Sequence, residues 1–198
     1  MSIIVNSPFK EYINNKTKKE IIDFAFDKKD LRVNVDKGWY DIHYREILVE
    51  LFLKIFKDYC NNQKKNEIVI VSPDNLRLPF GLTPILSIVS YKLGINFAVW
   101  KELGNFSDYE DLLYGDIHKE LNAYVVQDVL FHGGTLFRMA NELNKTNWIV
   151  KKYLSLFSYK KDESNHGNTL DEIMNRLGKS NPELKFESIF TIDIEKDD

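Results

Sequence analysis

The chain has one cysteine, Cys60, five prolines and nine glycines in 198 residues, no long apolar run, and no excess of positive charge. Each scarcity excludes something. A single cysteine rules out an intramolecular disulfide and any cysteine-rich zinc site, and it fits a reducing compartment, with the cytoplasm as the expected location. No apolar stretch approaches the roughly 18 residues that cross a bilayer, and the start, "MSIIVNSPFK", lacks a basic region ahead of an apolar one, so a soluble, unprocessed protein without a membrane partner is expected. Lys and Arg number 27 against 30 Asp and Glu, a net charge of −3. With no bulk positive field, nucleic acid is not an expected partner, and any anionic ligand has to be held by local groups. What the chain does have is apolar content, 43%, enough at this length for one domain with a sizeable core.

The pattern along the chain alternates. Thr17 and Glu20 form a capping box ahead of Ile21, Ile22 and Phe24, predicting a short first helix. Apolar residues from Tyr44 through Ile47, Leu48, Leu51, Phe52, Ile55 and Phe56 to Tyr59 recur at helical spacing. "IVIV" (68 to 71) is short and β-branched, a buried strand stopped by "SPDN". "TPILSIVSYKLG" predicts a helix with Thr83 as N-cap, Pro84 in its first turn and Gly94 as terminator, followed by a strand, "INFAVW". After a polar connection come a strand "AYVV", a helix "TLFRMANEL", a strand near "VKKYLSLF", a helix "LDEIMNRL" capped by Thr169 and Glu172, and a last strand "KFESIFTIDI". Such alternation predicts an α/β domain whose mostly parallel, twisted sheet is flanked by helices and binds ligands beyond the carboxyl ends of its strands. No repeat, low-complexity tract or domain boundary interrupts residues 1 to 198.

Glycine is rare enough that an adjacent pair is informative. In "AYVVQDVLFHGGTL" Gly133 and Gly134 fall at a strand-to-helix turn, where the backbone N–H groups of residues 132 to 135 can curl around an anion at the positive end of the following helix. Asp128, a few residues earlier at the strand's edge, is placed to accept hydrogen bonds from sugar hydroxyls, and phosphate plus vicinal hydroxyls describes a ribose 5-phosphate. A plain tight turn with Asp128 as a cap satisfies the same local pattern. "FHGGT" is also like an esterase oxyanion loop, but no G-x-S-x-G supplies a nucleophile. Neither G-x-G-x-x-G nor G-x-x-x-x-G-K-[ST] occurs, so dinucleotide and P-loop readings lack their glycines.

Ala123 to Val126, Gln127-Asp128 and Val129-Leu130-Phe131-His132-Gly133-Gly134-Thr135 together resemble the phosphoribosyl pyrophosphate signature of type I phosphoribosyltransferases. The wider chain is similar to the orotate branch of that family: "LTPILSIVSYKLGINFAVWKELG" to its pyrophosphate-side helix, strand and R-K-E motif, with Lys101 and Glu102 retained; "LLYG" to the turn closing a mobile loop; "LSLFSYKKD" to the strand ending L-x-D-R. The likeness runs from about residue 36 to 192, and is closest over 68 to 157. It implies a core of about 36 to 160 with a small hood from residues 1 to 35 and 160 to 198. It also implies a homodimer, for which Trp39, Trp100 and the Phe-rich helix at 44 to 59 are candidate apolar surface. Its ligand would be phosphoribosyl pyrophosphate with Mg²⁺. By the same resemblance, residues 127 to 135 hold the ribose phosphate: Gln127, Asp128, Val129, Leu130, Phe131, His132, Gly133, Gly134 and Thr135. Asp128 meets the ribose hydroxyls and, through ribose or water, the metal. Ser72, Pro73, Asp74 and Asn75, in a loop running to Arg77, lie against pyrophosphate, and Arg77 and Lys101 supply cations, although each also suits a solvated surface.

The departures from that pattern are specific. Gln127 stands where the first acid of the pair belongs and brings no charge to a metal. His132 replaces a Thr, either donating to phosphate or covering the turn. Trp100 replaces the Arg of R-K-E. The loop "GNFSDYEDLLYGD" carries four acids and no Lys or Arg, where orotate enzymes bring a Lys and a His; His118 and Lys119, just beyond, are the available substitutes. Tyr159 stands where an Arg would meet orotate's carboxylate, so it would face a different base. The expectation is therefore transfer of ribose 5-phosphate to a base other than orotate, or else a protein of the same fold that senses or scaffolds, binding a ribose phosphate or nucleotide, with a protein partner and without turnover.

Overall fold

A computed structural model describes residues 2–27, 32–33, 41–75, 81–102, 112–130, 133–159 and 185–195. In chain order these form β1 (Ser2–Asn6), α1 (Asn15–Ala25), a two-stranded ribbon of β2 (Phe26–Asp27) and β3 (Arg32–Val33), α2 (Ile42–Tyr59), β4 (Ile68–Asn75), α3 (Thr83–Leu93), β5 (Asn96–Glu102), β6 (Leu112–Tyr114), β7 (Asn122–Leu130), α4 (Gly134–Leu143), β8 (Ile149–Tyr159) and β9 (Lys185–Glu195). Seven strands make one sheet in the order β1-β9-β8-β7-β4-β5-β6. Its inner pairs are parallel, and only the outermost strands, β1 on β9 and β6 on β5, run antiparallel. The expected α/β alternation and mostly parallel sheet are present. The helix expected at 169 to 177 and Trp39 lie outside the described residues.

Helix starts follow side-chain chemistry. α1 begins earlier than the Thr17–Glu20 box predicts, because Asn14 is the cap: its side-chain oxygen accepts the Thr17 N–H at 2.8 Å, satisfying a first-turn donor that has no partner within the helix. Asp41 does the same for α2 through the Tyr44 N–H at 3.0 Å. For α3 the cap position is Leu82, not Thr83. Thr83 instead ties the helix to the sheet, its hydroxyl 3.0 Å from that of Ser72 and donating to the Pro73 carbonyl at 3.3 Å. Gly94 ends α3 at φ +69°, the left-handed conformation that the sequence predicts for it.

Alternate residues of each strand enter opposite layers. Ile68, Ile70, Tyr124, Val126, Leu154 and Phe190 pack under α1, α2 and α3. Val69, Val71, Ala98, Ala123 and Val125 pack with Leu136, Met139 and Leu143 of α4. A register shift between Ala123 and Tyr124, opposite Val150 and Lys152, inserts Lys151 as an extra residue, so that Val150 and Tyr153, three apart, both join the α4 layer. Trp100, Phe52 and Phe56 are wholly buried in these layers. They are core, and cannot supply the apolar surface expected of them.

Three segments differ from expectation. "SPDN" is not a loop but the second half of β4, paired with β5 as far as Asn75. Proline is tolerated there because β7 leaves β4 after Val71, so Pro73 has a neighbouring strand on one side only. "LLYG" is β6 plus a packing glycine. A Cβ on Gly115 would fall 3.0 Å from the Trp148 ring and 3.1 Å from Ala98 Cβ, and the Trp148 indole N–H donates to the Asp116 carbonyl at 3.0 Å. β1, which the sequence pattern did not announce, borders the sheet on β9.

The strand order also contains a divergence. β4 and β7 are parallel neighbours, but the chain leaves β4 through α3 toward β5 on one side and leaves β7 through α4 toward β8 on the other. This is a switch point, where connections diverge and a crevice opens beyond the strand ends.

Candidate functional site

Asp128 lies within β7, two residues before its end, and not at the strand's edge. Its Oδ1 accepts the Val129 N–H at 2.7 Å. Its Oδ2 faces the turn that enters α3: a Cβ added to Gly81 would fall 3.6 Å from that oxygen and 4.0 Å from the Pro73 carbonyl. Gly81 has φ +41°, a conformation in which any side chain is strained. Asp128 of β7 and the Pro73 carbonyl of β4 thus both border the α3 entry at Gly81, where the missing side chain lets backbone lie close to the carboxylate. Gly81 was not singled out in the sequence. The available signal was a glycine just ahead of Thr-Pro at a helix start, which reads as ordinary punctuation.

The glycine pair divides its work. Gly133 is the residue before α4, at φ +72° and without a side-chain cap on the helix. Gly134 opens the helix, and a Cβ there would meet nothing within 4 Å. Gly133 thus brings no side chain to the start of α4, and the space beside Gly134 is open, an arrangement that suits an anion at a helix N-terminus. Thr135 is half-buried, and Leu130 and Val129 pack in the core, so these last two have only backbone to offer a ligand. Phe131 and His132 lie outside the described residues.

Gln127 is 4% exposed, and its side-chain nitrogen has no hydrogen-bond partner. Its register neighbour on β8, Ser155, is likewise buried with an unpartnered hydroxyl. An unmade hydrogen bond costs the desolvation of its donor. Gln127→Met, similar in volume without the amide, is therefore expected to leave the thermal midpoint unchanged or raise it, by up to about 1 kcal/mol in stability; a clear drop in melting temperature would mean that the amide is satisfied.

At the ends of β4 and β5, Asp74 and Lys101 are Cα partners in the parallel register and so project from the same face. It is the face of Ser72, two residues before Asp74, whose buried hydroxyl meets Thr83 of α3. Asn75 pairs with Glu102. Arg77 and most of the acidic loop lie outside the described residues. Trp100 is 0% exposed in the α4 layer, where the Arg138 guanidinium lies 5.9 Å from its ring centre; Arg138 drew no attention in the sequence.

The remaining candidates have other surroundings. His118 and Lys119 sit in the turn before β7, at the amino ends of the strands, where Asn147 donates to the His118 carbonyl. Tyr159 ends β8, and its hydroxyl accepts the Val33 N–H at 2.9 Å, so it anchors the β2–β3 ribbon. Cys60, half-buried after α2, has its thiol pKa pushed up by burial, which disfavours the nucleophilic thiolate.

No family model and no curated protein matches the chain. Solved structures do. The orotate phosphoribosyltransferase of Aeropyrum pernix aligns over 81% of this chain and 78% of its own at a TM-score of 0.59 and 15% identity. The adenine phosphoribosyltransferase of Leishmania tarentolae aligns over 90% and 89% at 0.61 and 10% identity. That of Trypanosoma brucei, solved with AMP, pyrophosphate and ribose-5-phosphate, aligns over 89% of this chain and 79% of its own at 0.58 and 12% identity. The seven-stranded sheet, its switch point between β4 and β7, and these alignments agree: the chain has the type I phosphoribosyltransferase-like fold.

Proposed function

We propose that this protein binds the ribose 5-phosphate moiety of phosphoribosyl pyrophosphate or of a nucleotide, and transfers it to a base other than orotate. The observation that carries the reading is the Asp128 carboxylate held opposite Gly81, on the strand that leads into the glycine pair opening α4. In this reading the amides of residues 131 to 135 take the 5-phosphate and Asp128 orients the ribose hydroxyls. A base nitrogen then forms its bond to the anomeric carbon as the bond to pyrophosphate breaks, and pyrophosphate leaves with the electron pair. The chain's contribution is positioning and charge. Mg²⁺ would come with the diphosphate, through whose oxygens it would be held; among the described residues no three of His, Cys, Asp or Glu gather into a metal site. Tyr159, bonded to Val33, offers no cation to a base carboxylate, which speaks against orotate.

A second reading, a non-catalytic sensor or scaffold with a protein partner, is favoured by the enclosure of Trp100 and Gln127. The wider assignment includes a cytoplasmic location and a homodimer. With Trp100 and the α2 phenylalanines in the core, the candidate dimer surface is α3, whose Ile88 and Tyr91 are 44% and 86% exposed one turn apart. No helix among the described residues is long and apolar enough to cross a membrane.

Calorimetric titration with phosphoribosyl pyrophosphate, followed by a pyrophosphate-release assay over a panel of bases, separates the readings. Release with one base establishes the transferase and names its acceptor. Binding without release for any base establishes the sensor. No binding of any ribose phosphate discards both.

A further inference from the structure

We infer that Gly81 is a specificity-determining position of the crevice: its missing side chain leaves the room in which a sugar hydroxyl reaches the Asp128 carboxylate. The inference rests on the assignment of ribose phosphate to this crevice. It adds a residue from a different element, the entry to α3, that decides whether the sugar fits.

The carboxylate is oriented by its own strand. Asp128 Oδ1 accepts the Val129 N–H at 2.7 Å, and Oδ2 is the oxygen on the side of Gly81. A Cβ at residue 81 would stand 3.6 Å from Oδ2 and 4.0 Å from the Pro73 carbonyl, and these are the described atoms within 4 Å of it. Such distances are ordinary contact for a methyl group, so an alanine would lie against the carboxylate without clashing with it. It would instead take the place of a ligand. A hydroxyl that donates to a carboxylate brings its oxygen to about 2.7 Å from the acceptor. An oxygen approaching from the α3 side cannot come that close while a methyl carbon occupies the same side.

The entry cannot move aside to relieve the contact. Leu82, the next residue, is 1% exposed in the core. Thr83 is bonded to the Ser72 hydroxyl at 3.0 Å and to the Pro73 carbonyl at 3.3 Å. A side chain added at 81 is therefore held where the packing of α3 puts it. The backbone gives a second reason for glycine, since φ is +41° there and a side chain is strained. Gly94, at the other end of α3, separates the two reasons: its φ is +69°, and an added Cβ would meet nothing within 4 Å.

Calorimetric titration with ribose 5-phosphate of the full-length protein and of Gly81→Ala, Gly81→Asn, Gly94→Ala, Asp128→Ala and the combined Gly81→Ala, Asp128→Ala protein tests the inference. Gly81→Ala is expected to weaken binding by about tenfold or more. In the Asp128→Ala background the same change is expected to cost less than about twofold, because the hydroxyl contact that it blocks is already gone. Gly94→Ala is expected to lower the melting temperature as Gly81→Ala does and to leave affinity within about twofold. Gly81→Asn suits the left-handed backbone better than alanine, fills the same space, and is expected to weaken binding equally, so it replaces alanine if strain prevents that protein from folding. A folded Gly81→Ala or Gly81→Asn protein that binds as the parent does overturns the inference. An equal loss in the Asp128→Ala background also overturns it, and would mark Gly81 as a turn residue alone. Failure of the parent to bind any ribose phosphate overturns the underlying assignment itself.

Discussion

Asp128→Ala is expected to lower affinity for ribose 5-phosphate by about tenfold to a hundredfold while the protein stays folded. Hydrogen bonds from hydroxyls to a carboxylate are worth roughly 1.5–3 kcal/mol, and 1.4 kcal/mol is a factor of ten in affinity. The same substitution removes the acceptor of the Val129 N–H, a bond whose loss costs about 1 kcal/mol of stability. Asp128→Asn separates the two effects. It can keep an oxygen for Val129 but loses the charge, so its melting temperature stays near that of the parent while affinity still falls. Calorimetric titration and thermal unfolding of both variants provide the measurements. Undiminished binding by Asp128→Ala would mean that the carboxylate serves only the backbone bend beside it, and the ribose assignment would fall with it.

Trp100→Arg is the second large effect, and its sign runs against what sequence similarity suggests. Reinstating the arginine of the R-K-E motif looks like a repair of the pyrophosphate site. At this position it buries a guanidinium where exposure is 0% and where Arg138 already lies 5.9 Å from the ring it replaces. A buried charge facing a like charge, with no partner, is expected to cost more than about 3 kcal/mol of stability, enough to remove much of the margin of a typical domain. Trp100→Phe is the control. It keeps most of the apolar volume and deletes an indole N–H that has no acceptor, so its loss is expected to be within about 1.5 kcal/mol. Denaturant unfolding of the two proteins provides the comparison. A Trp100→Arg protein as stable as the parent, with stronger phosphoribosyl pyrophosphate binding, would place residue 100 at the crevice.

Much of the fold was legible because it rests on short-range rules. The helical spacing from Tyr44 to Tyr59, the β-branched run at 68 to 71 and the left-handed glycine at 94 each reflect a local preference, and each is found. The misses occur where a neighbour overrides the local signal. Ser72 to Asn75 has the composition of a turn yet remains strand, because β5 pairs with it to the end. Leu112 to Tyr114 reads as a turn and is drawn into pairing by Val99, Trp100 and Lys101. Thr83 has the chemistry of a cap and spends it on Ser72 and Pro73.

The site divides along the same line. The placement of Asp128 and the glycine pair around a strand-to-helix turn was readable, because they follow one another closely in the chain. Their partners were not. Gly81 reaches Asp128 across 47 positions of sequence, and Asp74 reaches Lys101 across 27, both through strand order alone.

From its own order of residues, this protein determined an alternating α/β chain, a glycine pair at a strand-to-helix turn, and an acid upstream of it, since these depend on backbone sterics and side-chain period within a few residues. Tertiary structure alone decided that residue 100 is core, that residue 127 is closed off, and which backbone faces the acid. Burial and charge pairing are properties of the packed layers, set by which strand lies beside which.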